Sequence, residues 1–118
     1  MDNIDAREKR EETTNNRKAL IISVSDYHDT KLEHLPFCEN DGTRMFEVLN
    51  SLGYEITDNK KLIGHVSEKD MREAIRDFFK TAKHKDTLLL YYSGHGIPEI
   101  KGDLYLASSE IDQSFPDV

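Results

Sequence analysis

His95 stands between two glycines, in Ser93-Gly94-His95-Gly96, directly after the apolar run Thr87-Leu88-Leu89-Leu90-Tyr91-Tyr92. The glycines permit a sharp turn and leave backbone N–H groups uncovered. An imidazole held there, at the end of a rigid strand, can serve as general base toward a thiol and then as acid toward a leaving amine. The N–H of Gly96 can donate to a developing oxyanion. A turn histidine that only fills space has the same local sequence, so the pattern alone leaves both readings open. Other chemistries fit less well. Ser93 is not in a Gly-x-Ser-x-Gly elbow, because Tyr91 occupies the first glycine position. The chain has no Gly-x-x-x-x-Gly-Lys-Ser/Thr phosphate loop. His28 and His34 share one loop without a matched second pair, so no zinc site is expected.

Periodicity supplies the elements that must position these groups. Ala19-Leu20-Ile21-Ile22-Ser23-Val24 is short, apolar and β-branched, the pattern of a strand buried on both faces. A polar loop follows, from Ser25 to about Glu39. Met45, Phe46, Leu49 and Leu52 share one helical face over roughly Asp41 to Leu52, with Asn40 or Asp41 as cap and Gly53 as stop. A weaker strand region spans Tyr54 to Ile63. Ser67 with Asp70 opens a second helix, and Met71, Ala74, Ile75, Phe78, Phe79 and Ala82 form its apolar stripe. Thr87 to Tyr92 is the second clear buried strand, and Asp103 to Ala107 is a short further one. Residues 1–17 hold few apolar positions and are expected to be a disordered or partner-binding arm. The order strand, helix, strand, helix, strand describes an open α/β sheet with parallel neighbours. Ligands of such sheets sit beyond the carboxyl ends of the strands. The loops after Val24 and Tyr92 share that edge, which draws Asp26, Cys38 and Asp41 toward His95.

Composition narrows the function classes. The chain has 118 residues, 36% of them hydrophobic, and a net charge of −7. That acidity argues against nucleic-acid binding, which needs clustered Lys and Arg. No run reaches the roughly 20 apolar residues of a membrane span. A single cysteine excludes an internal disulfide and a zinc–cysteine cluster. The start lacks a basic region followed by an apolar run, so a cytoplasmic protein is expected.

Leu88-Leu89-Leu90-Tyr91-Tyr92-Ser93-Gly94-His95-Gly96 resembles the histidine motif of the caspase-like cysteine peptidases (clan CD), in the metacaspase and prokaryotic caspase-homologue branch. Lys18 to Tyr27 resembles the first core strand of that family and the loop after it. Leu35-Pro36-Phe37-Cys38-Glu39-Asn40-Asp41-Gly42 resembles its Cys-x-Asn-Asp segment. The resemblance implies a catalytic role for His95 and an oxyanion-hole role for the Gly96 N–H. It implies an acidic specificity-pocket role for Asp41, with Cys38 and Ser93 beside it; Asp26, drawn to the same edge by the sheet geometry, is a further candidate substrate-binding residue. A carboxylate there favours a substrate Arg or Lys. Asp41 also suits a helix N-cap, and both roles are compatible. The resemblance implies that the nucleophilic cysteine lies at the end of a further strand, which is expected beyond Val118. Cys38 matches a pocket position instead, although a thiol near a helix N-terminus can be activated. The loop after His95 offers only Glu99 and Asp103, which does not support the calcium site of many metacaspases.

The expected fold is therefore α/β, a three-layer caspase-like fold with a mostly parallel sheet and helices on both faces, incomplete in this chain. Residues 18–118 would be its N-terminal, large-subunit-like part. The expected function is the histidine-bearing part of a cysteine endopeptidase, inactive alone, with no cofactor and no metal. Its expected partners are a peptide or protein substrate and the missing C-terminal part of the domain or a second copy of the chain, with no nucleic acid and no membrane. A non-catalytic caspase-like regulatory module is the alternative, and a flavodoxin-like domain binding a phosphate compound is a third reading. A sheet that ends at its third strand should expose an apolar edge.

Overall fold

The apolar run after Lys18 forms the middle of a sheet. In the computed structural model, which describes residues 16–112, β1 spans Arg17–Val24. Every residue from Ala19 to Val24 is at most 1% exposed. Residues 1–15 of the expected arm lie outside the described residues, and Arg17 already opens β1. Strands β2 (Lys61–Gly64) and β3 (Thr87–Ser93) flank β1, both parallel to it, in the order β2-β1-β3.

Strand alternation assigns the two faces. Leu20, Ile22 and Val24 pack with Met71, Ala74 and Phe78 of helix α2 (Glu68–Lys80). Ala19 and Ile21 pack with Met45, Phe46 and Leu49 of helix α1 (Pro36–Ser51). The result is the expected helix–sheet–helix sandwich. Burying each large aliphatic side chain of β1 contributes about 1.5–3 kcal/mol.

Helix α1 departs from the sequence expectation at its start. It begins at Pro36 rather than near Asp41, and its cap residue Leu35 makes no side-chain capping bond. Proline at the first helical position has no N–H to leave unpaired and a φ already suited to the helix. The Leu35 N–H donates to the Ser25 carbonyl at 2.8 Å, which fixes where the helix leaves the β1 loop. Asn40 and Asp41 therefore sit inside the helix and cap nothing. The buried face begins with Cys38 and Gly42. A Cβ on Gly42 would approach the Ser23 Cβ to 2.8 Å and its Oγ more closely still, so glycine lets the helix lie directly on β1. Leu52, expected on the buried face, falls past the helix and is exposed.

The second helix matches its pattern, with the Ser67 Oγ accepting from the Asp70 N–H at 3.1 Å. The weak strand region resolves into three pieces. Glu55 bridges Lys18, a 3-10 turn covers Asp58–Lys60, and β2 follows. The polar stretch Thr57-Asp58-Asn59 favours a turn over a strand.

Strand β3 corrects a second expectation. It is only partly buried: Leu88, Leu89, Tyr91 and Tyr92 are half-buried and Leu90 is 38% exposed. Among the described residues β3 pairs only with β1, so one edge is open. Beyond it, β4 (Gly96–Pro98) and β5 (Leu104–Leu106) form an antiparallel hairpin, with Ile97 paired to Tyr105. Among the described residues no helix is long and apolar enough to cross a membrane.

Candidate active site

The end of β3 and the loop after β1 meet around His95. Its backbone N–H donates to the Tyr27 hydroxyl at 2.7 Å. The Tyr27 ring lies edge-on to the imidazole, with centroids 4.7 Å apart. The ring Nε2 lies 2.8 Å from the Glu33 carbonyl oxygen. A carbonyl only accepts, so this contact places the proton of the neutral ring on Nε2. Nδ1 then carries the lone pair and is the basic nitrogen. The imidazole is half-buried and held by the Glu33 carbonyl and the Tyr27 ring, with its backbone tied to the Tyr27 hydroxyl, the arrangement that a positioned general base needs.

Gly94 is required for this packing. A Cβ there would fall 2.6 Å from both the Tyr27 and the Tyr92 hydroxyls. The Tyr92 hydroxyl is 2.8 Å from the carbonyls of His95 and Ala107, so it fastens the turn to the end of the hairpin. Burial pushes both phenols up; the Tyr27 hydroxyl raises Tyr92 further, while the His95 N–H partly offsets the rise at Tyr27. Both tyrosines therefore stay neutral around physiological pH and act as hydrogen-bonding supports, not as bases.

Cys38 is 1% exposed, and its Sγ accepts from the Ser93 hydroxyl at 3.1 Å. A sulphur so enclosed cannot approach a peptide carbonyl, which leaves Cys38 as part of the floor between α1 and β3. Ser23, the register partner of Ser93, turns its buried hydroxyl toward Gly42 and has no hydrogen-bond partner among the described residues. Asp41 is exposed and lines a groove of about 270 Å³ with Arg44, Met45, Val48 and Tyr91. Gly96 is exposed and opens the hairpin opposite Leu106.

Asp26 lies elsewhere. Its carboxylate is 3.5 Å from the His34 Nε2, in a second groove shared with Glu39, Gly64 and His65. The shared edge brings Cys38 and Ser93 together, and the loop after β1 against His95, but it puts Asp26 and Asp41 in different grooves. Sequence reasoning assigned no role to Tyr27, Tyr92 or Glu33. The Glu33 contribution is a backbone carbonyl, which any residue carries, so no side-chain pattern announces it.

The model of the caspase domain, peptidase C14, matches residues 16–115. Metacaspase-6 of Arabidopsis thaliana is 37% identical over 87 residues, which cover 68% of this chain and 23% of the relative. Metacaspase-1 of Saccharomyces cerevisiae is 36% identical over 91 residues, covering 70% and 21%. Caspase a of Danio rerio is 30% identical over 112 residues, covering 92% and 28%. The chain thus spans about a quarter of the length of the curated relatives it matches. By its strand order, its histidine turn and this match, the chain belongs to the caspase domain family of peptidases.

Proposed function

We propose that this chain is the histidine-bearing part of a caspase-like cysteine endopeptidase that cleaves after Arg or Lys. The observation that carries the reading is the His95 ring, fixed by the Glu33 carbonyl and by Tyr27 at the end of an edge strand. On this reading the nucleophilic thiol comes from sequence beyond this chain, and the burial of Cys38 supports that assignment. A strand added to the open edge of β3 brings that thiol to the same rim as the imidazole. Nδ1 of His95 takes the thiol proton, the thiolate attacks the scissile carbonyl, and the imidazolium returns the proton to the leaving amine. The Gly96 N–H donates to the oxyanion.

Asp41 is the group that reads the substrate. It is an exposed carboxylate in a groove with the apolar walls of Met45, Val48 and Tyr91, which suits a long cationic side chain. Arg44 in the same groove tempers that charge. The test is cleavage of an Arg-containing peptide by a form that extends past Val118. His95→Ala should lower kcat by about 10³-fold or more. Asp41→Asn should lower kcat/KM for Arg peptides by about 10–100-fold and spare uncharged ones. Full activity in His95→Ala would overturn the reading. An extended form with no thiol-dependent cleavage would favour the non-catalytic regulatory module instead.

A further inference from the structure

The loop after β1 and the residue after β2 build a second cluster on the same rim, which does not include His95. Val24 and Gly64 are register partners at the ends of the two parallel strands, so the chain beyond each emerges side by side. Asp26 and His28 follow the first, His65 the second. One nitrogen or carboxylate oxygen from each of these residues lies within 4.8 Å of the others. The two Nε2 atoms are 2.8 Å apart, and the rings stack at 4.9 Å with 27° between their planes.

The backbone beneath is firmly tied. The His28 N–H donates to the Ser109 carbonyl at 2.8 Å, and the Ser109 N–H donates to the Val66 carbonyl at 2.8 Å. The Ser109 hydroxyl, fully buried, accepts from the Val66 N–H at 2.8 Å. One residue therefore fixes the bases of both histidines. The sequence shows only His34 near His28 and gives no zinc site there; the fold sets His28 against His65, from another strand end, and His34 behind Asp26.

We propose that Asp26, His28 and His65 form a binding site for a divalent transition-metal ion of the zinc type. Two facing Nε2 atoms can share only one proton, and two imidazolium rings would repel. A cation that accepts a lone pair from each satisfies both. Two imidazoles and a carboxylate are the donor set of such an ion, with water completing the coordination. Zn–N bonds of about 2.0–2.1 Å at tetrahedral angles put the two nitrogens about 3.3 Å apart. The pair must open slightly from 2.8 Å, which two exposed side chains can do by χ rotation. His34, at 3.5 Å from the Asp26 carboxylate and 3.2 Å from the Tyr27 carbonyl, is placed to orient that ligand from behind. The adjoining groove, lined by Asp26, His34, Glu39 and His65, gives an ion access. This site is independent of the peptidase reading, because it includes neither His95 nor Asp41.

Titration of the chain with Zn²⁺ against a chromophoric chelator, and with Co²⁺ followed by its visible absorption, tests the assignment. One equivalent should bind, with a Co²⁺ spectrum of a low-coordinate nitrogen–oxygen site. His65→Gln and the double variant His28→Ala/His65→Ala should each lose at least about ten-fold in affinity. His84→Ala, which alters an exposed histidine outside the cluster, should bind as the parent does. Zn²⁺ should raise the Tm of the parent and of His84→Ala but not of His65→Gln, and circular dichroism reports whether each variant is folded. No uptake by the parent chain, or parental affinity in the folded His65→Gln protein, overturns the proposal.

Discussion

β1 and β3 share an apolar vocabulary but not an environment. In β1 six consecutive residues are at most 1% exposed, whereas in β3 no residue is fully buried and Leu90 is 38% exposed. β1 has a strand on each side and a helix on each face. β3 has β1 on one side and, among the described residues, nothing on the other. The apolar run in β1 therefore acts on stability within this chain. That in β3 leaves, among the described residues, an apolar strand with one edge unpaired.

Replacing one side chain in each strand is the largest test of that contrast. Ile22→Ala should cost about 2–5 kcal/mol in urea unfolding, through lost burial and a cavity between β1 and α2. Leu90→Ala should cost about 1 kcal/mol or less in the same chain, since it leaves little cavity. In a form extended past Val118 the cost of Leu90→Ala should rise toward that of Ile22→Ala. Equal costs in the short chain would show that β3 is already covered.

The turn that ends β3 is tighter than the strand itself. Gly94→Ala pushes a methyl group to 2.6 Å from two tyrosine hydroxyls and should destabilise by about 1–3 kcal/mol, read by the same unfolding curves. A smaller effect is expected where no sheet is involved. Ser67→Ala removes the α2 cap and should cost about 1 kcal/mol.

The smallest effect concerns the rim opposite the site, where the Lys18 ammonium of β1 lies 3.0 Å from the carboxylate of Asp86, just before β3. The Lys83 N–H foremost, then Lys18, hold the Asp86 carboxyl below its ordinary value of 3.8. A depressed folded value means a contribution that is complete above the unfolded value and lost as pH falls through the folded one. The parent should therefore lose stability below about pH 4, and Asp86→Asn should flatten that limb of the stability profile.

The sequence made the sheet order and both helix faces legible because periodicity reports which side of an element is apolar. It misplaced the start of α1, since Asn40-Asp41 makes as good a capping signal as Pro36 makes a first-turn signal. It read β3 as buried because apolar character belongs to residues, whereas burial belongs to their neighbours. At the site, His95 was visible through its flanking glycines. The Glu33 carbonyl was not, because backbone groups leave no trace in side-chain type. His65 was equally silent, being 37 residues from His28 and joined to it only by strand register.

The account rests on how the imidazole of His95 is presented. Nitrogen-15 spectra of the chain labelled at histidine report which ring nitrogen carries the proton in the neutral form. The structure requires Nε2–H, donated to Glu33, with an unprotonated Nδ1. A ring protonated at Nδ1, or one averaging freely between both forms, would contradict it.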